Sequence, residues 1–254
     1  MKSKNLKRIL VTRSLEGQSI LCQALSEVGI SPISLPLIEI VPISIEKPEC
    51  SPVLVEHICK LDNYDTLIFI SSTAAKLGFR WVEKYWSIIP SGSKNLAIGP
   101  STAKTVETLF GYMVEKSSVG MTSEDLLDTP YLSDVDGKNI GIFRGVAGRH
   151  FLRDELENRG GFVDYLEVYK RKKRKVATRE LVSIFSKKVD GIICLSGEVL
   201  ELLSSFPSKF AVKEVILYVP SIRLVRFAVD LGFTKVVNTS GAETKNILAS
   251  LVNL

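Results

Sequence analysis

Short runs of Ile, Leu and Val alternate along this chain with segments whose apolar residues recur at helical spacing. Continuous apolar runs are typical of strands buried on both faces, as in a parallel sheet covered by helices. The pattern therefore predicts an α/β fold with parallel sheets. The predicted strands are RILVT, TLIFIS, NLAIG, NIGIF, GIICLS and VILYV.

Parts of the chain repeat each other. The stretch that begins RILVTRSLEG aligns without a gap with the one that begins NIGIFRGVAG, so that Arg13 matches Arg144. The segment YDTLIFISS resembles VDGIICLSG, and IGPSTA resembles VPSIRL. The repeat predicts two similar α/β halves, and a length of 254 residues also favours two domains.

Composition is that of an ordinary folded protein, with 45% hydrophobic and 24% charged residues. No apolar run reaches the ~18 residues of a membrane span, and the N-terminal segment lacks the apolar core of a signal peptide. Four scattered cysteines without a C-x-x-C pair favour the reducing cytoplasm. His57 and His150 have no other ligand at metal-binding spacing, so we expect surface histidines and no metal site.

The loops after the predicted strands are small, polar and rich in glycine. In an open α/β sheet, ligands bind beyond the carboxyl ends of the strands. A hydroxyl directly after a strand also commonly caps the next helix, and both roles stay open for each residue. The candidate ligand-binding residues in these loops are Thr12, Arg13, Ser71, Ser72, Thr102, Arg144, Gly145, Ser196, Gly197 and Ser221.

Seven segments resemble uroporphyrinogen-III synthases in order and spacing over nearly the whole chain: ILVTR, YDTLIFISS, IGPSTA, SEDLL, IFRGVAGR, EVYKR and VPSIR. The resemblance implies two α/β domains joined by a two-stranded linker, with the active site in the interdomain cleft. It places domain one at 1–36 plus 174–254 and domain two at 43–166. The linker strands are then 37–42 and 167–173.

The resemblance also implies a lyase of heme biosynthesis. Such an enzyme cyclises hydroxymethylbilane, a linear tetrapyrrole with many carboxylates, to uroporphyrinogen III, with loss of water and inversion of the D ring. It implies no cofactor, a monomer, and at most transient contact with neighbouring pathway enzymes. Because the linear substrate also closes spontaneously to the wrong isomer, positioning is expected to carry much of the catalysis.

The resemblance further assigns roles to residues. Tyr169 in EVYKR matches a tyrosine that is a candidate acid for the departing hydroxyl, and a neutral phenol suits that task. The alternative for Tyr169 is packing against a domain edge. Thr102 and Ser221 match cleft-facing hydroxyl positions. Candidate carboxylate partners are Arg13, Arg144 and Arg149.

The net charge of +5 depends on one run, Lys170–Lys175, without whose six positive charges the chain is slightly acidic. The run itself suggests a nucleic-acid-binding module as an alternative function. No aromatic-rich surface, helix-turn-helix or zinc pattern accompanies it, so we expect no nucleic-acid partner. A second alternative is a non-enzymatic protein that closes on a small anion, which fold reasoning leaves open.

Overall fold

The computed structural model describes residues 7–116 and 122–252. The chain divides into two compact units, Met1–Glu39 with Lys172–Leu254 and Ile40–Arg171. It passes from one unit to the other twice, each time within a β-strand.

The first unit contains a five-stranded sheet whose strands are all parallel. The strand order is β11-β10-β9-β1-β2, and helices connect consecutive parallel strands. Its elements are β1 (Arg8–Val11), α1 (Leu15–Glu27), β2 (Ser31–Ser34), α7 (Thr178–Phe185), β9 (Gly191–Ile193), α8 (Gly197–Ser204), β10 (Ile216–Val219), α9 (Ile222–Asp230), β11 (Val236–Asn238) and α10 (Thr244–Val252).

The second unit contains a six-stranded sheet in the order β3-β8-β7-β4-β5-β6. Its strands are parallel except β3, which runs antiparallel to β8. Two backbone hydrogen bonds show this direction: Ile43 N donates to Val168 O, and Arg174 N donates to Leu37 O. Its elements, including the two strands that cross between units, are β3 (Ile38–Pro42), α2 (Pro52–Cys59), β4 (Thr66–Phe69), α3 (Ser72–Tyr85), β5 (Lys94–Ala97), α4 (Pro100–Phe110), β6 (Glu115–Lys116), α5 (Ser123–Leu127), β7 (Asn139–Gly145), α6 (Phe151–Asn158) and β8 (Phe162–Lys173).

The strand order of the two sheets agrees with the repeat in the sequence. The neighbours β1-β9-β10 of the first sheet correspond to β7-β4-β5 of the second, and the aligned segments supply the corresponding strands. All six predicted strands are present, so the prediction of two parallel α/β sheets is confirmed. The prediction missed β2, β6 and β11, which are short and carry few consecutive apolar residues.

Both faces of each sheet are buried, as the continuous apolar runs require. In the second sheet, Ile68 belongs to one core cluster and its neighbour Phe69 to another, since side chains alternate between the faces of a strand. The Phe69 and Phe143 rings stack with centroids 4.8 Å apart. Gly78 in α3 leaves room for that stack, because a Cβ there would lie 2.5 Å from the Phe143 ring.

The strand β8 continues through the predicted second linker. Its first half pairs with β7, whereas its basic second half pairs only with β3 among the described strands. Lys170, Lys172 and Lys173 in this half are exposed. Arg174, in the same basic run, forms a bidentate ion pair with Glu180 at 2.9 Å.

The four cysteines differ in their accessibility, and this difference generates a prediction. Cys50 and Cys59 are exposed, whereas Cys194 after β9 is buried and its burial raises the pKa of the thiol to about 12. Because the thiolate is the reactive species, Ellman's reagent near pH 8 is expected to label Cys50 and Cys59 rapidly, and Cys194 only as fast as the first unit opens. Full labelling in denaturant is the control. Native-state labelling of Cys194 at the rate of Cys50 would contradict the packing around β9.

Candidate active site

The parallel pairing places every strand-to-helix turn of a sheet at one edge. In the first unit, Thr12, Ser196 and Ser221 lie beyond the carboxyl ends of β1, β9 and β10. In the second unit, Ser71 and Arg144 hold the corresponding positions at β4 and β7. The candidate residues therefore lie at the carboxyl edge of their own sheets.

Several of the candidate hydroxyls form hydrogen bonds with the backbone. Ser71, Ser196 and Ser221 are helix N-caps whose Oγ atoms accept hydrogen bonds from the backbone N–H three residues on, at 3.0, 3.4 and 3.4 Å. Thr12 is buried and its hydroxyl donates to Ile193 O at 2.7 Å. These contacts stabilise helix starts and strand ends.

The remaining candidates near these turns differ in their surroundings. Ser72 Oγ lies 3.2 Å from Ser101 Oγ, which brings the turns after β4 and β5 together. Thr102 is buried in the first turn of α4. Gly197 begins α8, where a Cβ would lie 3.3 Å from the Phe227 ring. Arg13 is exposed.

A cavity of about 390 Å³ in the second unit brings four of the candidates together. Its polar wall includes Arg144, Gly145, Arg149 and Tyr169, and its apolar wall comes from the isoleucines after or within β4, β5 and β7. The wall also includes Glu124, Tyr165 and Arg171. Polar groups that converge on a partly apolar concave surface are typical of small-molecule sites. A cavity of about 400 Å³ in the first unit lies by residues that precede β9 and β10, and contains none of the candidates.

Tyr169 lies against the backbone of β7. Gly145 and Tyr169 are partners in the β7–β8 ladder, and a Cβ on Gly145 would lie 2.7 Å from the Tyr169 Cζ atom. Only 8% of Tyr169 is exposed, and its hydroxyl forms no hydrogen bond within the described part of the chain. Because every fully buried side-chain oxygen among the described residues has a partner, this hydroxyl is at least partly accessible, and Tyr169 is one of the residues that line the cavity.

Arg144 is 4% exposed, yet forms no ion pair with any described residue. Its Nε donates to Gly145 O at 3.1 Å and its Nη1 donates to Arg149 O at 3.2 Å. The guanidinium carbon lies 4.0 Å from the centre of the Tyr165 ring. Its Nη2 donates to no described atom and is not fully buried, because no fully buried nitrogen of the described residues lacks a partner, and Arg144 lines the cavity.

The other arginines of this loop and helix are all paired with glutamates. Arg149 lies 3.7 Å from Glu124 and is 82% exposed, while two arginines of α6 and its end form ion pairs at 2.6 and 3.2 Å. The most buried arginine of the segment is thus the one without a carboxylate. A buried cation that lacks a counter-ion is costly, so its position is suited to a bound anion.

Sequence reasoning missed Tyr165 and Gly148. Tyr165 precedes Tyr169 by four residues on β8, a spacing that marks one face of a regular strand, but the predicted linker strand began only at 167. Gly148 leaves space for Arg144, because a Cβ there would collide with Nη2. The repeat could have identified Gly148. Strand alternation could have identified Tyr165, but only if β8 had been predicted to begin before residue 165.

The two histidines differ in their surroundings. Among residues 7–116 and 122–252, no group of three His, Cys, Asp or Glu side chains is placed to hold a metal ion. His150 is exposed, as predicted, but the surface prediction for His57 is wrong. The His57 side chain is 17% exposed, and its Nδ1 lies 3.0 Å from the Tyr64 hydroxyl and 3.3 Å from Asp164.

In the same described ranges, no helix has the length and apolar character to cross a bilayer.

Comparisons with known proteins agree with one another. Residues 5–249 match the family model described as uroporphyrinogen-III synthase HemD. The uroporphyrinogen-III synthase of Salmonella typhimurium is 27% identical over 248 residues, covering 96% of this chain and 99% of that protein. The enzyme of the same name from Escherichia coli is 28% identical, covering the same shares.

Two solved structures show the same fold. A mutant uroporphyrinogen III synthase from Thermus thermophilus matches with a TM-score of 0.63 at 13% identity, covering 97% of this chain and 98% of that one. The uroporphyrinogen-III synthetase of Helicobacter pylori matches with a TM-score of 0.61 at 14% identity, covering 98% and 99%.

The capping geometry generates a prediction for two neighbouring serines. Ser71→Ala removes an N-cap and is expected to lower the free energy of unfolding by about 1 kcal/mol. Ser72→Ala is the matched control, because the Ser72 hydroxyl contacts only an exposed Ser101 hydroxyl and its loss should cost less than about 0.5 kcal/mol. Urea unfolding measures both. Equal losses for the two variants would show that Ser71 does not act through its cap.

Proposed function

The chain belongs to the uroporphyrinogen-III synthase family, and we propose that the cavity beside Arg144 and Tyr169 is part of its active site. The chain is a lyase of porphyrin biosynthesis that cyclises hydroxymethylbilane to uroporphyrinogen III. The substrate is a small linear tetrapyrrole rich in carboxylates. The reaction inverts the D ring and releases the terminal hydroxyl as water.

The observation that carries the proposal is the buried Arg144 guanidinium without a counter-ion among the described residues. A guanidinium presents planar donors that match the geometry of a carboxylate. Two backbone carbonyls and the Tyr165 ring already fix its orientation. Arg144 therefore binds a substrate carboxylate, and Arg149, already beside Glu124, contributes less.

Tyr169 acts as the general acid in this proposal. Tyr169 lines the same cavity, and its accessible hydroxyl donates to no described group. The phenol donates its proton as the carbon–oxygen bond of the substrate breaks, so that the hydroxyl leaves as water. Packing of the ring on Gly145 holds the hydroxyl in place and shields it from bulk solvent.

The exposed lysines that follow Tyr169 on β8 steer the substrate electrostatically. Lys170, Lys172 and Lys173 carry no ion pair with a described residue, whereas Arg174 is bound to Glu180 and contributes little. Their field raises the local concentration of a polycarboxylate. The remaining candidate residues, including Thr102 and Arg13, are proposed as secondary contacts at the carboxyl edges of their own sheets.

The enzyme is proposed to be cytoplasmic and monomeric, with no nucleic-acid partner. All four cysteines are free, which suits a reducing compartment.

Tyr169→Phe is the main test of the acid. We expect saturated turnover to fall at least tenfold, because general acids typically contribute about 10²–10⁴-fold, while the retained ring keeps the fold intact. Turnover is measured on enzymatically generated hydroxymethylbilane, with oxidation of the products and separation of the type I and type III porphyrin isomers. A variant that keeps more than half the wild-type rate and the same type III fraction would make Tyr169 a packing residue.

Arg144→Gln tests the carboxylate site, with Arg149→Gln as the matched control. Hydrogen bonds to charged groups contribute about 1.5–3 kcal/mol, so Arg144→Gln is expected to raise KM roughly 10- to 100-fold. Arg149→Gln, which removes an exposed charge already near Glu124, should change KM less than about threefold. Steady-state kinetics at fixed ionic strength compares them. If both variants raise KM by the same factor, the effect comes from long-range charge, and Arg144 does not bind a substrate carboxylate directly.

A further inference from the structure

The Tyr165 ring packs against the Arg144 guanidinium, and Tyr165 has no role in the proposed reaction. It pairs with Ile142 in the β7–β8 ladder, and its ring centre lies 4.0 Å from the Arg144 guanidinium carbon. The guanidinium of Arg153 lies 5.0 Å from the same ring, but it is bound to Glu157 at 2.6 Å. The ring of Tyr165 therefore supports one paired cation and one cation without a described counter-ion.

The contacts of Arg144 hold the guanidinium from three sides. The carbonyl of Gly145 accepts from Nε, the carbonyl of Arg149 accepts from Nη1, and the Tyr165 ring covers one face. Gly148 lies close to Nη2 and would collide with it if it carried a Cβ. A long, flexible side chain is thereby restrained, and its Nη2 has no described partner and is not fully buried. Both Arg144 and Gly148 line the cavity.

The ring, rather than the hydroxyl, makes this contact. Tyr165 is half-buried, and its hydroxyl has one weak contact, 3.4 Å from the exposed His150 Nδ1. A cation over an aromatic face is attracted by the ring quadrupole, and phenylalanine preserves that face. The two parts of the side chain can thus be tested separately.

We propose that Tyr165 is a positioning residue that pre-orients Arg144 for a carboxylate of the substrate. Binding a carboxylate to a mobile arginine would require the side chain to lose its conformational freedom at that moment. The ring imposes that restriction before the substrate arrives. This inference rests on the proposed role of Arg144 in substrate binding.

A double-mutant cycle tests whether Tyr165 acts through Arg144. Tyr165→Leu is expected to raise KM about fivefold or more and to change kcat less than about twofold, because the loss is in binding. Tyr165→Phe, the matched control, should stay within about twofold of wild type in both constants. In the Arg144→Gln background, Tyr165→Leu should raise KM by less than about 1.5-fold further.

The cycle has outcomes that overturn the proposal. If Tyr165→Leu raises KM by the same factor in both backgrounds, Tyr165 acts independently of Arg144. If it leaves KM unchanged in the wild-type background, the ring does not position the arginine. Gly148→Ala provides a second variant that leaves Tyr165 intact and displaces Nη2 directly, and it should raise KM as Tyr165→Leu does.

A measurement without substrate separates this proposal from the proposed function. In the ¹⁵N-labelled wild-type protein, the Arg144 Nε–Hε signal should be shifted upfield by the Tyr165 ring current and protected from exchange. Tyr165→Phe should keep the shift and Tyr165→Leu should lose it. An unshifted, rapidly exchanging signal in the wild type overturns the positioning role even if Tyr165→Leu fails to fold. Normal KM in Arg144→Gln, with the shift present, refutes the binding role of Arg144 alone.

Discussion

The backbone pairing of β7 with β8 is the interaction on which the candidate site depends. It places Tyr165 opposite Ile142 and Tyr169 opposite Gly145, with a register shift between Arg144 and Gly145. The shift leaves Val168 as an extra residue on β8, a β-bulge that turns the strand locally. Val168 and Tyr169 consequently contact the same core cluster, although consecutive residues of a regular strand point to opposite faces. Tyr169 lines the cavity together with Tyr165, although the bulge between them interrupts the regular alternation of β8.

The electrostatics of the cavity follow from the loop that this pairing anchors. Val146 N donates to Tyr169 O at 2.7 Å, and the following residues fold back over Arg144. Ala147 adopts the left-handed region with a φ of 57°, a conformation that non-glycine residues rarely take and that is often retained at functional sites. The loop thus buries a guanidinium that has backbone carbonyls but no described carboxylate beside it. In the proposed function, a bound substrate carboxylate offsets the cost of burying this cation without a counter-ion.

Similar segments of the two units have different surroundings. Arg13 and Arg144 occupy equivalent places in the repeat, after β1 and at the carboxyl end of β7, yet Arg13 is exposed and Arg144 is buried. The serines that follow β4 and β9 have remained alike, since Ser71 and Ser196 both cap the next helix. The two caps are alike because each serine accepts a hydrogen bond from the first turn of its own helix. The environment of an arginine depends instead on its loop and on the neighbouring strand, which differ between the units.

The sequence by itself determined the family, the α/β class, the parallel sheets and the edge at which the candidate residues lie. The family follows from the resemblance of seven segments, and the rest follows from hydrophobic runs and repeated turns, which are local or periodic features of the chain. It also identified Arg144 and Tyr169, but it did not separate them from the other arginines or from hydroxyls that cap helices. Only the tertiary structure decided that Arg149 has a glutamate beside it, that Arg144 lacks one among the described residues, and that Tyr165 supports it. Ion pairing, burial and ring contacts join residues distant along the chain, and a strand bulge changes which side chains meet, so no local pattern specifies them.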